Sequence, residues 1–196
     1  VIDSEKLYSF WVPKSQIVPT NSKKVTVDYS PFNHRPPMEH QKPAIEDLLK
    51  NDMYILADDM GLGKTTSAVI ASIVENPKCT LVICPASLKI NWKREIENYT
   101  DEEVVIVEGK NWKEGKYIIV NYDILKNFHS LKNKSVRTLL ESGVERVIID
   151  EAHYISNPKA QRTKIINQIS LKLGKVWLLT GTPMTSRPIN YYNLLN

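Results

Sequence analysis

Ile55-Leu56-Ala57-Asp58-Asp59-Met60-Gly61-Leu62-Gly63-Lys64-Thr65-Thr66 decides how this chain is read: an apolar run, a glycine-bearing turn, then residues that open a helix. A phosphate-binding loop needs this order. Glycines let backbone N–H groups approach phosphate oxygens, and the helix N-terminus adds positive potential. Lys64 reaches the outer phosphates and Thr65 offers a hydroxyl to magnesium. The candidate phosphate-binding residues are therefore Met60, Gly61, Leu62, Gly63, Lys64, Thr65 and Thr66. The strict Gly-x-x-x-x-Gly-Lys-Ser/Thr pattern is not met, because Asp58 stands where its first glycine belongs. Gly-Lys-Thr alone is equally a strand-to-helix turn with a solvated lysine.

Two downstream stretches change that balance. Arg146-Val147-Ile148-Ile149-Asp150-Glu151-Ala152-His153 sets two acids at the exit of a buried strand. In a parallel sheet such an exit shares its carboxyl edge with the phosphate loop. There Asp150 can hold magnesium through water, and Glu151 can orient and deprotonate an attacking water. Taken alone, the pair is two solvated loop carboxylates and His153 a polar surface residue; its order after the phosphate loop favours chemistry. Trp177-Leu178-Leu179-Thr180-Gly181-Thr182-Pro183 is a third strand that breaks into a hydroxyl-bearing turn. Its Thr180 and Thr182, with His153, are candidates for sensing the outer phosphate and passing the change to a neighbouring domain.

Around these motifs the texture alternates. Apolar runs at Met53–Ala57, Thr80–Cys84, Val104–Val107, Tyr117–Val120, Val147–Ile149 and Val176–Leu179 predict strands. Leu88, Trp92, Ile96 and Tyr99, and again Ile165, Ile166 and Ile169, mark helix faces. This alternation predicts an α/β fold, a mostly parallel sheet with helices on both faces. Before Met38 the chain is polar and proline-punctuated, with islands at Tyr8–Val12 and Val25–Val27. It reads as a leader that docks on the domain and carries one short strand at most.

With 196 residues, 42% hydrophobic and 24% charged, the chain suits one soluble domain rather than a disordered or fibrous one. A net charge of +4 and a pI near 8.9 are compatible with an anionic partner without requiring one. No run is long and apolar enough to span a bilayer, so no membrane partner is expected and an intracellular location is. Cys79 and Cys84 flank an apolar run and read as buried free thiols. Trp92, Trp112 and Trp177 read as packing residues. Lys159, Arg162 and Lys164 read by default as a solvated helix face.

These motifs together resemble the first lobe of the Swi/Snf-type DNA translocases of helicase superfamily two, from about Arg35 to Asn196. The family's own phosphate loop typically carries an acid where Asp58 sits, and Asp150-Glu151-Ala152-His153 gives the DEAH-box signature. Thr180-Gly181-Thr182-Pro183 resembles the DNA-translocase pattern, whereas DEAH-type RNA helicases have Ser-Ala-Thr there. Met184-Thr185-Ser186-Arg187-Pro188 is similar to the annealing-helicase branch and to phage or bacterial relatives. Ser156 departs from the pattern, standing where a lysine often precedes Asn157, and Pro43 falls early in the helix after Gln41.

The resemblance implies a three-layer RecA-like lobe over 35–196 behind a leader over 1–34, with a second lobe outside this chain. It implies ATP and Mg2+ as ligands, Gln41 in adenine recognition, and a track for double-stranded DNA at Pro85, Ser87, Lys89, Asn121 and Tyr122. Pro85-Ala86-Ser87 opening a helix suits a phosphate, with Ser87 as its cap and Lys89 close by. The second lobe would supply arginine fingers, whose loss costs about 10³ to 10⁵ in turnover, so this lobe alone is expected to bind ATP better than it hydrolyses it. The location implied is a bacterial or phage-infected cytoplasm, or the nucleus in a eukaryote. A non-hydrolysing docking module and a P-loop phosphotransferase are the rival readings.

Overall fold

A computed structural model of the chain describes residues 25–128, 143–155, 157 and 159–181. Each expected apolar run is a strand: β1 (Met53–Leu56), β2 (Thr80–Cys84), β3 (Val104–Ile106), β4 (Tyr117–Asn121), β5 (Arg146–Ile149) and β6 (Val176–Leu179). The helix α1 (Gln41–Lys50) precedes β1, and α2 (Lys64–Glu75), α3 (Lys89–Glu97), the single turn α4 (Leu125–Phe128) and α5 (Gln161–Leu173) lie between the strands. Pro43 is accommodated because it lies in the first turn of α1, where its missing N–H has no intrahelical acceptor to lose.

The six strands form one sheet in the order β1-β6-β5-β2-β4-β3, and every pairing is parallel. A parallel sheet must be covered on both faces, and the period-two alternation shows how. Leu81, Ile83, Ile118, Val120, Val147, Ile149 and Leu178 point to one side, where Ile165, Ile166 and Ile169 of α5 fill the layer. Val82, Cys84, Ile119, Ile148, Trp177 and Leu179 point to the other. There they meet Ile45 and Leu48 of α1, Ala68 to Ala71 of α2, and Trp92 and Ile96 of α3. The result is the expected three-layer α/β domain.

Where the structure describes it, the segment before Arg35 packs on the domain without a strand. Val25–Val27 has no strand structure; its neighbours instead form a 3-10 turn at Ser30–Phe32. Phe32 is 3% exposed in the layer of α1, α2 and α3, with Val27 and Tyr29 packed against that layer, so residues before Arg35 already contribute to the core. The Tyr8–Val12 island lies outside the described residues. Both cysteines are buried free thiols as expected; burial pushes Cys79 up to about 11 and Cys84 up to about 12. Trp177 is fully buried, and Trp112 is packed against the α5 layer. Among the described residues no helix is long and apolar enough to cross a membrane.

One charged residue is built into this core. Arg146, 1% exposed at the start of β5, donates from Nε to Glu75 Oε2 at 2.7 Å and from Nη1 to the Asp52 carbonyl at 2.7 Å. Its Nη2 also meets Glu75, and its guanidinium lies 4.0 Å from the centre of the Trp177 ring. The contact ties the end of α2 to β5 and β6 and to the turn before β1. Removing Arg146 would leave the largely buried Glu75 with only the more exposed Lys175, 3.7 Å away, and would empty a buried site. Arg146→Ala should therefore destabilise the chain by about 3 kcal/mol in urea unfolding, and adding Glu75→Gln should recover part of the loss.

Candidate functional site

Parallel pairing brings the three sequence motifs to one edge. In register, Leu56 at the end of β1 faces Leu179 of β6, and Leu178 faces Ile149 of β5. The phosphate loop, the Thr180-Gly181 turn and the Asp150-Glu151 pair thus leave three adjacent strands at nearly one level.

The loop between β1 and α2 has the backbone of an anion cradle. Gly61 has φ +88° and Gly63 φ +74°, values that L side chains rarely adopt. Gly63 caps α2, whose first closing bond is Ser67 N–H to the Gly63 carbonyl. The N–H groups of Lys64, Thr65 and Thr66 therefore have no acceptor within the helix. Lys64 Nζ donates to the carbonyls of Asp58 at 2.7 Å and Asp59 at 2.8 Å, so the ammonium stands inside the loop's curl. Met60 and Leu62 are exposed on its rim.

Gln41 lies against this loop. It is 5% exposed, accepts the Met38 N–H on Oε1 at 2.9 Å, and directs Nε2 to the Leu62 and Gly63 carbonyls, each at 3.4 Å. His40 Nε2 lies 3.2 Å from the same Leu62 carbonyl. A Cβ on Gly63 would come within 2.2 Å of Gln41 Nε2, so a side chain there would strain φ and push the Gln41 amide aside.

Asp150 is 8% exposed and both its oxygens are engaged: Oδ1 accepts the Glu151 N–H at 2.9 Å and Oδ2 accepts the Trp92 indole N–H at 2.7 Å. Burial pushes its carboxyl above the ordinary range, while these two N–H groups and the Lys64 charge pull it back. Glu151 is more open and adopts φ +50°, a conformation that costs a non-glycine residue about 1 kcal/mol. His153 Nδ1 lies 3.1 Å from Glu151 Oε2, in range for an ion pair but off-line for a hydrogen bond. Thr180 is 1% exposed with its N–H bonded to Leu56 O at 3.1 Å. A Cβ on Gly181 would stand 2.7 Å from Met60 Cγ and 3.5 Å from Lys64 Nζ, which places this turn directly against the phosphate loop. Thr182 and Ser156 lie outside the described residues, as does the Met184–Pro188 stretch. Among the described residues no group of three or more His, Cys, Asp or Glu could hold a metal ion.

The expected track residues separate into two sets. Ala86 and Ser87 are exposed in a 3-10 turn that begins at Pro85 and runs straight into α3. Ser87 is therefore inside the turn and caps nothing, contrary to expectation; the Leu88 N–H bonds the Pro85 carbonyl instead. Lys89 is half-buried, its Nζ 3.5 Å from the Val107 carbonyl. Asn121 and Tyr122 are buried, 7% and 4% exposed. The Tyr122 hydroxyl donates to the Asp150 carbonyl and its ring stacks on Tyr154 at 5.3 Å.

Three residues escaped the sequence reading. Trp92 packs as expected but also bonds Asp150. Glu95, one turn further along α3, accepts the Thr66 hydroxyl and lies 3.4 Å from Arg35. Arg162 is not a simple solvated residue: its guanidinium lies 5.6 Å from the centre of the Tyr154 ring, in a cavity shared with Pro85, Ser87 and Tyr122. The recoverable signal was the spacing of Trp92 and Glu95, which share a helix face.

The SNF2-related domain matches residues 40–196. The chain belongs to the SNF2-related family. The human DNA annealing helicase and endonuclease ZRANB3 is 30% identical over 184 residues, covering 86% of this chain and 16% of the relative. The probable global transactivator of Orgyia pseudotsugata multicapsid polyhedrosis virus is 30% identical over 174 residues, covering 81% of this chain and 34% of the relative. This SNF2-related chain thus spans a minor part of the relatives it matches. In structure it is similar to the Sulfolobus solfataricus SWI2/SNF2 ATPase core in complex with dsDNA, with a TM-score of 0.61 at 22% identity over 81% of this chain and 35% of that one. The UvsW helicase of bacteriophage T4 gives 0.60 at 17% identity, over 100% and 66%. The expected RecA-like fold is the fold found.

The two loop glycines should respond differently to substitution. Gly61 has open space at its Cβ position, so Gly61→Ala should cost only the φ strain, about 1 kcal/mol. Gly63→Ala also pushes the Gln41 amide off the Leu62 and Gly63 carbonyls and should cost about 1 kcal/mol more, the scale of the bonds lost. Thermal unfolding of both variants, and of Gly63→Ala combined with Gln41→Ala, should show that excess disappear in the double variant.

Proposed function

We propose that this chain is the ATP-binding lobe of a DNA-dependent ATPase that moves along duplex DNA. The observation that carries the reading is the convergence of Lys64, the Asp150-Glu151 pair and the Thr180-Gly181 turn on one sheet edge, in a chain of the SNF2-related family. The domain boundary at about residue 35 and the site roles below belong to the same proposal.

The residues fit a magnesium nucleotide. Two positive-φ glycines turn backbone N–H groups toward an anion, Lys64 adds a charge, and Asp150 keeps a fixed carboxylate nearby. Bound magnesium would offset phosphate charge, with Thr65 and Asp150 as the protein groups that hold it. Lys64 would exchange its two carbonyl acceptors for phosphate oxygens, and Thr66 would stay bonded to Glu95 behind the loop. Gln41, packed under Leu62 and Gly63, would meet the adenine side of the nucleotide. Glu151 would accept the proton of the attacking water, and His153, beside its carboxylate, would couple the pair to the neighbouring lobe. Thr180, with Thr182, would report the outer phosphate to a second RecA-like lobe that contributes the arginine finger.

On the track side, the exposed Pro85–Ser87 turn and Lys89 would meet DNA phosphates, contacts that position a duplex without reading its sequence. Asn121 and Tyr122, buried beneath, would brace that turn against Asp150. The relatives' names, an annealing helicase and a core bound to dsDNA, favour duplex DNA as the partner, with an intracellular location.

Lys64→Ala should weaken ATP binding by roughly a hundredfold, the scale of two charge-assisted hydrogen bonds, with the fold retained by circular dichroism. Equal calorimetric affinities in variant and parent would remove Lys64 from the site.

Turnover is tested in the two-lobed protein. Duplexes of unrelated sequence should stimulate ATP hydrolysis to similar extents, and stimulation should fall steeply as salt rises. Glu151→Gln should keep ATP and duplex binding while losing at least about 100-fold in kcat. Hydrolysis indifferent to saturating duplex would exclude the motor reading, and wild-type turnover in Glu151→Gln would exclude Glu151 as the base.

A further inference from the structure

We propose that Trp92 is a positioning residue for Asp150, its indole N–H fixing the carboxylate in the attitude in which it serves magnesium. The inference rests on the nucleotide-site reading above and adds to it a residue that touches neither nucleotide nor metal.

A carboxylate offers about four lone-pair positions and rotates freely unless its partners fix it. At Asp150 two N–H groups do so from opposite oxygens, Trp92 on Oδ2 at 2.7 Å and Glu151 on Oδ1 at 2.9 Å. One lone pair remains on each oxygen, and the plane that contains them is set. An indole N–H suits this task because it donates only. It cannot take the acid's proton, and it cannot bind a cation in the acid's place. Trp92 is 1% exposed, so the bond is shielded from water, which would otherwise compete for both partners.

The donor itself is held. Trp92 sits in α3, with its ring in the layer formed with α1 and α2. One turn on, Glu95 accepts the Thr66 hydroxyl and pairs with Arg35 at 3.4 Å. The two contacts tie α3 to both halves of the site, the acid strand through Trp92 and the phosphate-loop helix through Glu95. Since both residues ride on one helix, α3 cannot shift without disturbing the Trp92 and the Glu95 contacts together. Packing alone would account for the ring but not for a 2.7 Å bond to the buried acid of the site.

Trp92→Phe keeps the ring and deletes the N–H. In calorimetry on the full chain, its affinity for ADP in the presence of magnesium should fall by roughly tenfold, the scale of losing a group that orients a metal ligand. Its affinity for ADP in EDTA should stay within about twofold of wild type. Unchanged affinity in both conditions, or an equal loss in both, would overturn the positioning role. A wild-type chain whose ADP affinity ignores magnesium would overturn the site reading itself, and the role would fall with it. Should Trp92→Phe fail to fold, the wild-type chain still gives a test through its indole ¹⁵N–¹H resonances. The Trp92 signal should move when magnesium is added to the ADP complex, while that of Trp177, which donates to the Asn51 carbonyl, stays in place. A Trp92 signal that stays in place overturns the proposal.

Discussion

The placement of β6 between β1 and β5 is the constraint on which the site depends. The phosphate loop and the acid pair are far apart in sequence and do not leave neighbouring strands. They sit two strand spacings apart, about 10 Å, and the β6 exit fills the interval. Gly181 stands in that interval, its α-carbon close against the Met60 and Lys64 side chains of the loop. The third motif is thus a spacer that packs against the loop from β1. All-parallel pairing does the rest, since it delivers every strand's carboxyl end to the same edge.

The layer of α1, α2 and α3 reaches this edge through polar side chains that emerge from an otherwise apolar interior. Gln41 from α1, Thr66 from α2, and Trp92 and Glu95 from α3 each bond another element of the site rather than only their own helix. The other layer contributes Tyr122, whose hydroxyl holds the Asp150 carbonyl from beneath. Both layers therefore brace Asp150, one through its carboxylate and one through its backbone. A buried polar group satisfied on several sides costs little, whereas the same group left half-satisfied costs much. This is why the bracing runs deep into the core.

What could be read from the chain was whatever depends on periodicity and local turn chemistry. All six strands were legible because a doubly covered parallel sheet demands short uninterrupted apolar runs, and few other structures do. The glycine-bearing turn between β1 and α2 was legible despite Asp58, since Gly63 and Lys64 at a strand-to-helix junction carry most of its geometry. What could not be read was partnership across the fold. Nothing local marks Trp92 as a donor to Asp150, or Tyr122 as buried beneath it, because those contacts exist only once β2, β4 and β5 lie side by side. Ser87 as a cap failed for a local reason: the 3-10 turn flows into α3, so the helix start lies elsewhere. Val25–Val27 looked like a strand by composition, but no edge of the sheet takes it as a partner.

The two buried thiols give the fold a way to be timed. Cys79 and Cys84 are the only cysteines of the chain. They bracket β2 at the centre of the sheet, Cys79 packed in the α5 layer and Cys84 in the layer of α1, α2 and α3. Neither ionises near neutral pH while buried, so an alkylating reagent reaches each sulfur only when its own layer opens. If the domain opens as a unit, both sulfurs are labelled at one rate. If one layer peels away first, the rates separate, and the faster sulfur names the layer that left. The chain thus carries, without added probes, a separate clock on each face of its central strand.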